Sequence, residues 1–431
     1  MPPGSPGATS LPAEGRTILR NTLFITGSGL ALKLVNFLYG IWVVQSLGDD
    51  RFGQYKFVFT CSFLFSAVGV SLETVLTAHE RLDYTSVTAV VSQVVTLALG
   101  AAVLWLDLGL VPLIAITLVA SWFPLAFSAW AVRRHRLLRF RPRWDVRLWP
   151  VMVRRGLPFA AISLALTIAF SIDTVMLSWV VPNAEVGWYN VAYGLVHSVV
   201  GLLVAFSQAM VPTLARQFVS DAPGVTRWYS RSLRWMAVLG LPAAVGGMLI
   251  ARGLVAWLYP PSTAPAGDAL MILAWDVPLL LYTAYCGNMS YIIGAERDAA
   301  RIYTINAVAN VVLNGLIIPR YGFLGAAVVT VVTDLIGAIQ FYRVLARRLD
   351  PPNPWPVLGR VALGALAMGL AVALAGDLHP AWRLGLGLTV YAVLLPGLKV
   401  IEASEWGLLR HWAGRLAGRL ALLGGRGHEA R

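Results

Sequence analysis

Apolar residues run along this chain in blocks of about 20, the length a helix needs to cross a hydrocarbon core of about 30 Å. Short stretches holding Gly, Pro, Asp and Arg separate the blocks. Reading blocks against these breakers predicts about twelve helical spans, near residues 21–47, 56–78, 86–107, 110–132, 157–181, 188–212, 233–256, 270–292, 301–319, 323–343, 355–376 and 382–401. The expected fold class is an all-α polytopic membrane protein.

Charge divides the loops into two alternating sets. One set carries Arg16 and Arg20, Arg81, the run from Arg133 to Arg155, Arg216 to Arg234, Arg297 and Arg301, and Arg343 to Arg348. The other holds Arg51 beside Asp49 and Asp50, no cation in 181–187 or 259–268, and then the single arginines Arg320 and Arg383. The positive-inside rule assigns the first set to the cytoplasm, which puts both termini inside and makes the number of spans even. The organisation expected is a disordered cytoplasmic tail (1–19), an N-terminal bundle of about four spans (20–132), a basic cytoplasmic connector carrying Trp144 and Trp149 (133–156), a C-terminal bundle of about six spans (157–348), two additional spans (349–402), and an interfacial helix with its tail (403–431). In that last segment Trp406, Leu409, Trp412, Leu416 and Leu420 share one helical face, with arginines around it.

Composition agrees with a lipid solvent: 58% of the 431 residues are hydrophobic and 13% charged, so a water-soluble form would expose large apolar patches. The net charge of +13 sits in short inter-span stretches where no basic nucleic-acid face can form. Cys61 and Cys286 both fall within apolar blocks, which speaks against a disulfide framework or a thiolate metal site. Residues 1–20 lack an apolar core and read as a tail, with the first span as the uncleaved insertion signal.

Polar groups inside the spans are costly and mark bundle interiors or aqueous cavities. Lys33 lies 13 residues after Arg20, about 20 Å along a helix and therefore near mid-bilayer; Asn36 and Tyr39 share its face. Acidic groups fall at Glu73, Asp173, Asp276 and Asp334, and Arg252 is placed to pair with Asp173 or Asp276. Such pairs either fix the bundle or break and re-form between two states. Asn306, Asn310 and Asn314, at i, i+4 and i+8, form a polar stripe suited to lining a cavity or to packing helix on helix.

Several segments resemble the polysaccharide flippase branch of the MOP superfamily, the group holding oligosaccharide-lipid flippases, lipid II flippases and MATE drug exporters. They are Leu47 to Tyr55 (LGDDRFGQY), Leu157-Pro158 with Ile172-Asp173, Ala184 to Tyr193 (AEVGWYNVAY) followed by Pro212, and Asn306 to Asn314 leading into Ile318 to Ala327 (IPRYGFLGAA). Their order spans roughly residues 20–350. The resemblance implies two MOP/MATE-like bundles rocking about a central cavity by alternating access, with no catalytic residue, no bound metal and no cofactor. One departure stands out: about four spans precede Leu157, where members typically have six. The run from Phe57 to Tyr84 looks like the start of one family helix joined to the end of another.

On this resemblance the chain is expected to flip a polyprenyl-diphosphate-linked glycan across the plasma (inner) membrane for cell-surface polysaccharide synthesis. Lys33 either attracts the diphosphate or pairs with a carboxylate such as Glu73. Lys33, Asn36, Tyr39, Asn306, Asn310 and Asn314 are the candidate cavity residues; Glu73, Asp173, Arg252, Asp276 and Asp334 are the coupling or gating candidates, with any H+ or Na+ coupling carboxylate expected among the four acids. Membrane lipids and other polysaccharide-assembly membrane proteins are the expected partners. A MATE-like exporter and a non-transporting assembly partner on the same scaffold are the alternatives. The first-span cation without an Asp or Glu favours an anionic substrate over a cationic drug. An enzyme is disfavoured by short outer loops with no Asp-x-Asp pair, nucleophile elbow or phosphate-cradling glycine loop.

Overall fold

A computed structural model describes residues 35–56, 82–134, 149–208, 222–376, 378–398 and 400, and these are helical apart from short connections. Helix α1 covers 35–56, with a break at Gly48 (φ 72°). It is followed by α2 (Leu82–Trp105), α3 (Leu110–Arg134), α4 (Trp149–Val180), α5 (Asn183–Gln208), α6 (Ala222–Leu258), a 3-10 turn at Pro261–Thr263, α7 (Ala266–Leu273), α8 (Asp276–Ile292), α9 (Glu296–Leu349), α10 (Trp355–Leu374) and α11 (Pro380–Gly397). The N-terminal tail, Lys33, Glu73, most of the basic connector and the C-terminal amphipathic segment lie outside the described residues.

By length and composition three of these helices can cross a membrane (residues 224–258, α9 and α10), or four if the bent pair α7 and α8 is one span. The 54-residue α9 folds back on itself at Gly322, whose φ of 53° and ψ of −141° suit only glycine. The register of its two arms is explicit: Arg348 binds Asp298 at 2.5 Å, Tyr303 meets Phe341 edge to face at 5.2 Å, and Asn306 packs on Gly337. These arms correspond to the two spans expected at 301–319 and 323–343. The span expected at 270–292 is broken, with α7 and α8 meeting at 48°. Pro278 accounts for the bend, since it has no N–H to donate and its ring would collide with the carbonyl of Ala274. Helix α6 starts at Ala222, ahead of the span expected from 233, because the Arg, Ser and Thr residues of its first turns continue the helix beyond the apolar block.

The burial pattern is that of a bundle solvated by lipid. On the first arm of α9, Val308 and Leu316 are 57% and 66% exposed, while Asn314 is fully buried. Positions two apart lie about 200° around a helix, so the apolar stripe faces out and the asparagine stripe faces in. The main core is built where α9 packs on α4 and α8, and α5 on α7 and α8. A smaller core joins α6 to α10 and α11 through Val245, Val361, Met368 and Tyr391. Between Gly364 and Tyr391, and between Gly369 and Val245, there is no room for a Cβ without a shift, so small residues bring these helices into close contact.

Candidate functional site

Asp173 in α4 is the centre of a buried polar network. The Tyr189 hydroxyl of α5 donates to its Oδ2 at 2.7 Å, and Asn314 Nδ2 donates to its Oδ1 at 2.5 Å. Thr330 Oγ1, on the second arm of α9, lies 3.0 Å from Oδ2 and 2.9 Å from the Ala326 carbonyl, and its single proton serves one of them at a time. Asn314 also donates to Asn310 Oδ1 at 3.0 Å. A separate buried pair sits one residue along each helix, where Thr174 Oγ1 donates to Asn190 Oδ1 at 3.2 Å and Asn190 Nδ2 to the Val186 carbonyl at 2.8 Å. The fold-back at Gly322 is what brings Asn314 and Thr330 to the same carboxyl. Asn314 Oδ1, fully buried, has no hydrogen-bond partner, so an acceptor oxygen stands unmatched beside a carboxylate.

A cavity of about 340 Å³ lies next to this network and is lined by Tyr193, Asn288, Asn306, Asn310, Thr333 and Asp334, among others. The asparagine stripe therefore divides its work: Asn306 faces the cavity, Asn310 both lines it and bonds Asn314, and Asn314 ties helices together. Asp276 opens α8 and is completely buried. Asp334 lies beside it, and Asp173 is close enough to act electrostatically on both. Three acidic candidates from distant parts of the sequence thus gather in one half of the molecule. Among the described residues no group of three or more His, Cys, Asp or Glu is placed to hold a metal ion.

Arg252 departs from the expected pairing. Its Nε bonds Asp268 at 2.6 Å on an exposed surface, and neither Asp173 nor Asp276 is its partner. The reason is local: the chain turns back after α6, so α7 packs antiparallel against it, and Gly267 sits directly on the Arg252 backbone. In the N-terminal half, Asn36 Oδ1 accepts from Gln93 Nε2 of α2, and the Tyr39 hydroxyl packs on Gly100 of the same helix. Lys33 and Glu73 lie outside the described residues.

The sequence reading missed Asp49, which it treated as a loop charge beside Arg51. Asp49 is buried and bridges the two halves: Thr263 Oγ1 donates to its Oδ1 at 2.6 Å and Trp188 Nε1 to its Oδ2 at 3.1 Å. Gln45 adds a bond to the Leu258 carbonyl at 2.7 Å. Glycines make the approach possible. A Cβ on Gly187 would fall 2.5 Å from the Asp49 carbonyl oxygen, and one on Gly53 would strike Asn183. The third motif turn joins the same place, since Trp188 meets Phe323 at 5.5 Å and a Cβ on Gly322 would lie 2.6 Å from Glu185 Oε2. The signal was present as three glycine-bearing turns, but only the fold shows that they meet.

Comparison with known proteins follows the same lines. The family model for "Polysaccharide biosynthesis protein" matches residues 70–218. A probable flippase, AglR, of Haloferax volcanii is 29% identical over 205 residues, covering 46% of this chain and 43% of that protein. A probable lipid II flippase, MurJ, of Vibrio cholerae is 24% identical over 228 residues, covering 50% and 43%. A probable low-salt glycan biosynthesis flippase of Haloferax volcanii, Agl15, is 22% identical over 46% of this chain and 42% of its own length. These alignments span under half the length of each relative. The whole fold is similar to that of a lipid II flippase MurJ in an inward closed conformation, with a TM-score of 0.66 at 13% identity over 90% of this chain and 85% of that one. It is also similar to an inward-facing multidrug resistance MATE family transporter, with a TM-score of 0.50 at 15% identity over 79% and 96%. The relatives bear the names of flippases, the family match covers residues 70–218, and the shared fold extends over most of the chain.

Proposed function

We propose that this chain moves a polyprenyl-diphosphate-linked oligosaccharide across the plasma membrane by alternating access, in the service of cell-surface polysaccharide assembly. The observation that carries this reading is the closed contact at Asp49. Donors from the C-terminal half hold a carboxyl from the N-terminal half at the end of the molecule whose loops carry few cations, the end assigned to the outside. A contact of a few hydrogen bonds between glycine-lined turns can break and re-form, as a two-state gate requires. Lys33 is the residue expected to meet the diphosphate, where a point charge in a low dielectric attracts strongly.

Coupling to a cation is the second part of the proposal. Asp173, the unmatched Asn314 Oδ1, Asn310 and Thr330 present oxygens from α4 and both arms of α9, a donor set suited to a hard monovalent cation or to a proton on Asp173. Occupancy of this set ties the arms of α9 to α4 and so biases the geometry of the half that carries Trp188 and Thr263. The direct test is reconstitution into liposomes with a fluorescent polyprenyl-diphosphate sugar, following arrival of the headgroup in the opposite leaflet with and without a Na+ or proton gradient. Lys33→Ala is expected to lower transport strongly while Lys33→Arg retains part of it; full activity of the alanine variant would remove the anion role.

A further inference from the structure

The cavity of about 340 Å³ beside the Asp173 network has a chemistry of its own. The hydroxyls on its wall carry one proton each and give it to the backbone. Thr283 Oγ1 donates to the Leu280 carbonyl at 3.3 Å, Tyr303 to the Thr283 carbonyl at 3.3 Å, and Thr333 Oγ1 to the Val329 carbonyl at 2.9 Å. What these groups leave for the cavity is lone pairs. Asn288 Nδ2 is likewise bonded to the Ala284 carbonyl at 3.1 Å, and Asn306 Oδ1 is buried without any partner. Asp334 adds a carboxyl, and no Lys, Arg or His stands among the described lining residues. The wall is rich in acceptors and poor in donors.

The rest of the lining is aromatic and fixed in place. Tyr193 is stacked on Tyr189 at 5.5 Å, and Tyr303 is set edge-on to Phe341 at 5.2 Å. Helices α4 and α8 each pack on α9 rather than closely on each other, which leaves the cleft between them. Phe170 of α4 and Tyr291 of α8, both partly exposed, stand at its edges. The volume is near the bottom of the range of about 300–1,000 Å³ for small-molecule sites, so an oligosaccharide does not fit and one ring does. The acceptors are contributed by α8 and by both arms of α9, and a ligand that answers them carries donors around its rim. Ring hydroxyls are spread in this way and a single ammonium is not. A sugar ring also has an apolar C–H face to set against aromatic side chains.

We propose that this cavity binds one sugar ring of the glycan, inside the C-terminal half, with hydroxyls donating to Asn306 Oδ1 and to the Asp334 carboxyl. The assignment of that ring to a lipid-linked glycan rests on the function proposed above. A phosphate is excluded from the cavity, since it brings acceptors to a wall of acceptors and negative charge to a carboxyl. Sugar and diphosphate are thus read at separate places, the ring here and the charge at Lys33.

The experiment reads occupancy by free sugar, without transport. The full chain carrying Ala284→Cys, with Cys61 and Cys286 replaced by Ser, is placed in nanodiscs. Its rate of maleimide labelling is followed against a panel of free hexoses, deoxyhexoses and N-acetylhexosamines, and Thr283→Cys gives a second reporter on the same wall. At least one sugar is expected to slow labelling at both positions in a saturable way. Asn306→Leu removes an oxygen that has no protein partner, so Tm should stay near that of the unaltered protein. The half-protecting sugar concentration should meanwhile rise about tenfold, the worth of one hydrogen bond. Four results would each overturn the proposal: no labelling at either position, protection by no sugar, protection by tetraethylammonium alone, or sugar protection undiminished in Asn306→Leu. Failure here leaves glycan transport to be judged by the liposome assay, and failure of that assay leaves sugar protection as measured.

Discussion

At the scale of single residues, Asp173 and Asp276 differ in what faces them, donors in one case and a second acid in the other. Asp173 accepts from Tyr189 on Oδ2 and from Asn314 on Oδ1, so removing Asn314 leaves a buried oxygen without its bond. Asn314→Ala is therefore expected to destabilise the protein by about 1–3 kcal/mol, measured as a lower Tm in detergent. Asp173→Asn keeps the shape and removes the charge, so it should fold and lose cation-dependent transport. Asp276 instead faces another acid, Asp334, and two buried carboxyls so placed can bond only through a proton that one of them keeps. Replacing it by Asn keeps the shape and a donor toward Asp334, so Tm should change little while transport falls. A drop in Tm comparable with that of Asn314→Ala would mean that Asp276 is structural. The sequence picked out both acids because any carboxyl in an apolar block is conspicuous. It could not rank them, because the hydrogen-bond partners of Asp173 come from helices up to 157 residues away.

Among the elements, α9 shows what pattern reveals and what it conceals. Two apolar blocks separated by Pro319 to Gly322 were legible as two spans, and the i, i+4, i+8 asparagines as an inward stripe. The left-handed turn at Gly322 was not legible, yet it is what sets Asn314 against Thr330. Gly322→Ala places a side chain where the backbone admits only glycine and drives a Cβ to within 2.6 Å of Glu185 Oε2. A cost of about 1–3 kcal/mol is expected, read as a lower Tm. The break between α7 and α8 was signalled by Pro278 but not its consequence, the burial of Asp276 at a helix start inside the bundle. The Arg252 pairing illustrates the opposite failure. Span arithmetic placed it at the right depth for Asp173, while the antiparallel return of α7 offered the nearer Asp268.

For the whole molecule, hydropathy and loop charge read the class of fold from the chain alone, because a lipid solvent imposes length and polarity on every crossing element. What they could not supply was the meeting of the Leu47–Tyr55, Ala184–Tyr193 and Ile318–Ala327 turns, which lie far apart in sequence and have no polarity pattern in common. Only glycines fit where Gly53 and Gly187 cross, so Gly187→Ala should loosen the contact, its Cβ being opposed by backbone that cannot rotate away. The account stands or falls on whether this contact opens during transport. The decisive measurement is lipid-linked sugar translocation in proteoliposomes by an Asp49→Cys, Thr263→Cys variant in a background with Cys61 and Cys286 replaced by Ser. Oxidation to the crosslink is expected to stop translocation and reduction to restore it; undiminished translocation by the fully crosslinked protein would contradict the account.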